Sequence, residues 1–301
     1  MDTASVPVRP SPGARVQGTR EAGAPLCLLA LATSGEWCSV GVYRHRDGIG
    51  ESDCLSERLG NAQSERILAM VREASANAGV ALDQFDAVAF DAGPGAFTGL
   101  RIGCAVAQGL GLALGRPLIA IDAPAALAWQ RVRGSSAPAA WVLVASDARI
   151  DELYVAMYRI EAVAHDAGSG GGCTFPLPLA RPLIAPRVLP RQRFAEALEA
   201  LWPGREVAAG EVLLAGNAWR RLGLLAEWAA HHGVAPVPAP GEDESYVRAD
   251  ALAELAHRSW CEGAVLAPAE ASPRYVRDKI ALDRDEQRAL RERRTAGGGR
   301  P

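Results

Sequence analysis

The stretch from Phe85 to Gly115 limits the folds open to this chain more than any other. Phe85–Asp91 is a short apolar run without helical period, the length of a buried strand. Ala92–Thr98 follows as a tight Gly-Pro-Gly loop: Gly93 and Gly95 tolerate dihedrals that other residues avoid, and Pro94 fixes one. Gly99–Gly115 reads as a helix and Pro117–Ile121 as a further strand. Along that helix Gly99, Gly103, Ala107, Gly111 and Gly115 recur every four residues, so one ridge has almost no side-chain volume. Each helical glycine costs about 0.5–1 kcal/mol relative to alanine. Four of them imply a compensating close contact. It lies either within the chain, against the sheet or the helix of Ile67 and Val71, or against a second protein.

The remaining pattern is also α/β. Leu26–Thr33 is an apolar run, Ser34-Gly35-Glu36 a turn, and Trp37–Tyr43 alternates with Cys38, Val40 and Val42 on one face, which makes a hairpin. A third strand is expected near Glu51–Arg58. Asn61–Ala78 places Ile67, Val71, Ala74 and Ala78 on one helical face, and Gly79 stops it. Thr98 is placed to cap the glycine helix, and Asp122 to cap a helix at Ala123–Arg133 with Pro124 in its first turn. After a boundary at Gly134–Pro138, Trp141–Ser146, the turn Asp147–Glu152 and Leu153–Tyr158 repeat the first hairpin, down to the closing tyrosine. That repetition points to a duplicated unit. Ala167–Cys173 is a glycine-rich insertion. Helices are expected at Arg191–Trp202, Ala218–Ala230 and Arg248–Cys261, a strand at Val212–Ala215, and an extended segment at Pro273–Leu282.

With 301 residues, 49% of them hydrophobic, the chain has material for about two domains. They divide as a leader at 1–24, a first lobe at 25–133, a second lobe at 134–282 whose last segment can return to the first, and a charged tail at 283–301. Arg9, Arg15 and Arg20 ahead of Leu26–Ala32 resemble a short export signal. The run is minimal in length, Asp2 and Glu21 dilute the basic flank, and Pro25 abuts it, so a buried strand is the better reading. No stretch approaches the ~20 apolar residues of a membrane helix. A net charge of −3 does not demand a phosphate-binding surface. Lys279 is the only lysine, which nearly excludes phosphate-loop and Schiff-base chemistry. Six scattered cysteines without C-x-x-C indicate buried thiols in a reducing cytoplasm.

Three segments carry a family resemblance. They are Leu31–Val40 with Ser64-Glu65-Arg66-Ile67-Leu68; Asp91-Ala92-Gly93-Pro94-Gly95-Ala96-Phe97-Thr98-Gly99-Leu100-Arg101-Ile102-Gly103; and Asp147-Ala148-Arg149-Ile150-Asp151-Glu152-Leu153-Tyr154 with Pro273-Arg274-Tyr275-Val276-Arg277. In order and spacing they resemble the TsaB (YeaZ) family over residues 26–282. The resemblance implies two lobes of the actin/Hsp70/sugar-kinase fold. It also implies a non-catalytic role beside the TsaD transferase and the TsaE ATPase in making threonylcarbamoyladenosine at position 37 of tRNA, with a homodimer when alone and tRNA met only through the complex. The family's first strand usually carries Asp where Ala32 stands, and family members often have a His just before the helix segment at Ser64–Leu68, where Gln63 stands here; both departures lead away from catalysis.

The resemblance further implies that the two helices form the partner interface, through Gln63, Arg66, Ile67, Met70, Val71, Ala74, Leu100, Gly103, Cys104, Ala107, Gln108 and Gly111. A vestigial nucleotide cleft would use Thr33, Ser34, Gly93, Gly95, Thr98, Asp147 and Arg149, with weak nucleotide binding at most and no required cofactor. Backbone N–H groups at a helix start attract anions, yet the glycine loop lacks the Lys-Ser/Thr of a Walker sequence and reads more simply as a tight turn. Two other activities fit the residues less well. A sugar-kinase-like phosphotransferase lacks the strand carboxylate and the lysines. A metallopeptidase lacks ligands, because His45, His165, His231, His232 and His257 form no H-E-x-x-H. No G-x-S-x-G supports a serine triad. Thiol titration of the denatured, unreduced protein should count six free cysteines; a stable disulfide would overturn the reading of a reducing compartment.

Overall fold

The computed structural model describes residues 25–133, 139–149, 151–164, 176–202, 207, 212–220 and 245–276. The leader, the boundary at 134–138, the glycine-rich insertion, Cys173, most of the expected helix after Ala218 and the tail lie outside the described residues.

Two sheets carry the architecture. β1 (Leu26–Ala32), β2 (Trp37–Arg46), β3 (Ile49–Arg58), β4 (Ala87–Gly93) and β5 (Leu118–Asp122) form the first, in the order β3-β2-β1-β4-β5. β6 (Ala139–Arg149), β7 (Glu152–Ala164), β8 (Pro176–Pro190) and β9 (Val212–Ala215) form the second, in the order β8-β7-β6-β9. Each sheet has an antiparallel three-strand meander with a parallel strand added beside its first member: β4 beside β1, and β9 beside β6. The repeated hairpin of the sequence is thus a repeated topology, and the fold is the two-lobed α/β arrangement that the resemblance implies.

Helices fill the layers. α1 (Gln63–Asn77) and α2 (Phe97–Leu114) cover the outer face of the first sheet. α3 (Ala123–Val132) lies between the sheets, and α4 (Phe194–Glu199) on the far face of the second. α5 (Ala249–Cys261) returns the chain to the middle layer, where Leu252 and Leu255 pack with Leu28, Ile119, Val142 and Tyr158. One apolar cluster therefore joins both sheets, and each fully buried Leu or Ile in it contributes about 1.5–3 kcal/mol. The extended segment after α5 pairs Leu266 with Leu118, beside the first sheet's edge.

Several local expectations need correction. α2 begins at Phe97 with Ala96 as its N-cap, so Thr98 lies inside the first turn and caps nothing. Asp122 precedes α3, but its carboxylate binds Arg274 instead of the helix N–H groups. Helical geometry after Pro190 is a 3-10 turn and six α-helical residues. β8 was not expected at all: Pro176, Pro178, Pro182, Pro186 and Pro190 each remove a backbone donor, which an edge strand tolerates and an inner one does not. The same prolines deny that edge to a foreign strand.

Charged groups at the middle layer are paired, while the buried Tyr158 hydroxyl there has no hydrogen-bond partner among the described residues. Asp250 accepts from Arg133 at 2.9 Å and Arg248 at 2.8 Å, while Glu254 accepts from Arg133 at 3.1 Å and from the Trp129 indole at 2.6 Å. Burial pushes the Asp250 carboxyl up, but the bonds from Arg248 and Arg133 outweigh it and hold it down, to about 2. Tyr43 and His257 share a 2.8 Å bond under the β2–β3 hairpin. The cysteines described, Cys27, Cys38, Cys54, Cys104 and Cys261, are free, and burial pushes the Cys38 thiol up to about 12.

The Asp250→Ala change should cost about 2–4 kcal/mol, less than a wholly buried pair because both arginines keep some solvent. Since Asp250 is depressed on folding, its contribution is present above pH ~4 and fades as pH falls toward 2. Urea titrations of both proteins across that window test this; a difference independent of pH would refute it.

Candidate functional site

Parallel strands in α/β sheets present ligand crevices at their carboxyl ends. Here the carboxyl ends of β1, β4, β6 and β9 converge on one cleft of about 860 Å³. Its floor is apolar, from Ala32, Ala123, Pro124, Leu127 and Val247. Its rim carries Ser34, Thr98, Asp147, Arg149, Asn217 and Arg274. Trp37 and Tyr246 stack at one side, 4.3 Å between centroids and 6° between planes. Tyr154 reaches from the second sheet to the Gly95 carbonyl at 3.4 Å, tying the lobes across the opening.

The turn after β1 is held from below by Asp91 of β4. The Thr33 N–H donates to both carboxylate oxygens at 3.1 Å, and the Ser34 N–H donates at 2.8 Å. Burial pushes the Asp91 carboxyl up to about 6, although the bonds from Ser34 and Thr33 pull the other way. From above, α2 presses on the same turn. The Thr33 hydroxyl donates to the Gly99 carbonyl at 2.8 Å, and the Ala96 N–H donates to the Ser34 carbonyl at 2.6 Å. A Cβ on Gly99 would overlap the Thr33 carbonyl, and one on Gly103 the Thr33 hydroxyl.

These contacts correct both sets of candidate residues. Thr33 and Gly93 are buried and do not line the cleft, whereas Ser34, Gly95, Thr98, Asp147 and Arg149 do. Asp147 receives the Arg149 N–H at 2.8 Å, and its own N–H donates to Asn217, so the second hairpin's turn is braced locally. Asn217 was not foreseen; it follows Gly216, whose φ of +96° lets the chain turn tightly against Ala145.

Among the interface candidates, Gln63, Ile67, Met70, Val71, Ala74, Leu100, Gly103, Cys104, Ala107 and Gly111 are buried within the chain itself. The small-residue ridge packs its glycines against Thr33, Leu118 and Pro268 of the same chain. Arg66 is held by Glu57 and Glu73, and Gln108 by the Ala271 carbonyl. The opposite stripe is the one left uncovered. Leu68 and Leu112 are 47% and 67% exposed, Ala105, Gly109 and Ala113 are open, and Ile102, Val106 and Leu110 are half-buried between them. Its signal was legible: α2 carries one charge, Arg101, and only Thr98 and Gln108 as other polar side chains. By length and composition alone α2 could cross a bilayer; a third of it is buried.

Known proteins place this geometry. A profile of the family "TsaD: tRNA N6-adenosine threonylcarbamoyltransferase" matches residues 57–171. The solved structure "YeaZ from Pseudomonas aeruginosa" aligns over 83% of this chain and 99% of its own, at 32% identity and a TM-score of 0.61. The chain belongs to the TsaB (YeaZ) family. The tRNA threonylcarbamoyladenosine biosynthesis protein TsaB of Haemophilus influenzae is 41% identical over 144 residues, 48% of this chain and 58% of that relative. The Escherichia coli TsaB is 36% identical over 132 residues, 44% and 54% of the two. The match thus spans little more than half the length of these curated relatives. Among the described residues, no three His, Cys, Asp or Glu side chains converge as a metal site would need.

Asp91 has a pH signature. Its folded pKa lies above the unfolded value, so its contribution favours the fold below pH ~4 and is lost as pH rises through about 6. Against the non-titrating Asp91→Asn variant, the wild-type protein's relative stability should fall by about 2–3 kcal/mol between pH 4 and 6.5 and stay level above. A flat difference across that range would show that the carboxyl is not desolvated.

Proposed function

We propose that this chain supports threonylcarbamoyladenosine formation on tRNA as the docking partner of a TsaD-type transferase and performs no chemistry itself. Membership of the TsaB family supports the pathway. The observation that carries the docking role is the uncovered apolar stripe on α1 and α2. Ile102, Ala105, Val106, Gly109 and Leu112 follow one side of α2, and Leu68 is exposed on α1; water solvates such apolar surface poorly and a facing helix would cover it. Gly109 has open space around its Cα, so a partner backbone can approach it closely. In this reading the transferase supplies the reacting groups, tRNA is met through the complex, TsaE binds the assembled pair, and the same stripe closes a homodimer when the transferase is absent. The cytoplasm is the compartment that such a substrate requires.

The cleft of this chain fits a structural role better than phosphotransfer. The turn after β1 has spent its N–H groups on Asp91, and no lysine is among the cleft's lining residues.

Ala105→Trp and Gly109→Arg should keep the thermal midpoint of the monomer, because both positions face outward, and should weaken capture of purified TsaD at least ~10-fold. Gly103→Leu should instead lose the fold, since overpacking costs about 1–3 kcal/mol or more where Thr33 cannot yield. Unchanged TsaD affinity in both outward variants would sink the docking assignment.

A further inference from the structure

Asp91 is held in an unusual way for a buried carboxylate. It makes no ion pair among the described residues, and it is fully buried. Its partners are neutral: two successive backbone N–H groups, those of Thr33 and Ser34, at 2.8–3.1 Å. Successive N–H groups turned toward one point make a concave anion nest. A phosphate or a free carboxylate would present the same acceptor oxygens to these donors. Here the acceptor comes from the neighbouring strand, 58 residues along the chain. Side-chain and backbone packing seal the nest: Ser34 lies under Gly95, and Thr33 under Gly99 and Gly103.

We propose that the turn after β1 is an oxyanion site which the chain fills with its own Asp91 carboxylate, and that the cleft above is thereby closed to phosphate-bearing ligands. Asp91 takes the donors that a phosphate would need and sets a negative charge behind them. A nucleotide approaching the rim meets that negative charge and no free N–H of the turn. The inference is independent of the docking role, and either can fail alone.

Removing the carboxylate should turn the filled site into an empty one of the size of formate. Thermal unfolding of wild-type protein and Asp91→Ala is compared at pH 7.5 in sodium formate, sodium phosphate and sodium chloride at matched ionic strength. Asp91→Ala should unfold lower than wild type in chloride and regain about 2–4 °C in formate at a few hundred millimolar. The wild-type midpoint should be the same in formate and chloride. Where Asp91→Ala does not fold in chloride, its refolding yield is the readout, with a several-fold higher yield in formate expected. No gain from either formate or phosphate in midpoint or yield would overturn the nest. Calorimetry of wild-type protein needs no variant: phosphate and magnesium-ATP should give no saturable heat. A saturating one-to-one isotherm with either would overturn the closure.

Discussion

The approach of α2 to the end of β1 is the contact on which the rest of the structure depends. Gly99 and Gly103 allow the helix to lie directly on Thr33, closer than any side chain would permit. Three results follow. The Thr33 hydroxyl is drawn upward to the Gly99 carbonyl, which leaves its N–H and that of Ser34 aimed downward at Asp91. The Gly-Pro-Gly loop is pinned by the Ala96–Ser34 bond, which fixes where α2 begins. The helix's opposite side is left standing outside the core. The glycine cost, about 0.5–1 kcal/mol each, is thus offset inside the chain.

Most of the fold was legible because its strands are short apolar runs between strong turn signals, and its first two helices show clear 3.6-residue periods. The repeat of Leu26–Tyr43 in Trp141–Tyr158 anticipated the repeated sheet topology. β8 was hidden because five prolines suppress every local strand preference, and its place at an edge is a tertiary fact that no window of sequence contains. The burial of the expected interface residues was hidden for a related reason. A helix periodicity locates an apolar face but does not say what covers it. On α1 the stripe of Ile67, Met70, Val71 and Ala74 covers the chain's own sheet. On α2 two stripes compete, and the tighter, smaller one belongs inside because a rigid sheet admits less volume than a partner that can adjust.

The cleft was legible as a place, since Asp147 and Arg149 lie on its rim, but not in its chemistry. The resemblance puts a carboxylate on the first strand at position 32, where this chain has alanine. Ala32 stands one residue beyond the Leu31–Phe90 pair, and Asp91 one residue beyond it on β4. The negative charge of this region is therefore kept while its position shifts by one strand, and it is spent on the backbone instead of facing the opening. Such a move cannot be found from either residue alone; it needs the register of the two strands.

A cluster at the first turn of α2 relates the cleft to the outer stripe. Arg101 lies 3.8 Å over the Phe97 ring and donates to the Tyr275 hydroxyl at 3.1 Å, and Phe97 and Tyr275 also line the cleft mouth. Tyr275 belongs to a segment fastened to the first lobe by the Arg274 N–H on the Ala92 carbonyl and by the Arg274–Asp122 ion pair. Any protein that covers Ile102 and Ala105 must pass beside this cluster. The cleft mouth and the exposed apolar stripe therefore share one helix turn, whose position is set by Gly99 on Thr33. Three contacts fix that geometry: the two sheets share one apolar core, the Gly-Pro-Gly loop is pinned by the Ala96–Ser34 bond, and the N–H groups of the turn after β1 are taken by Asp91.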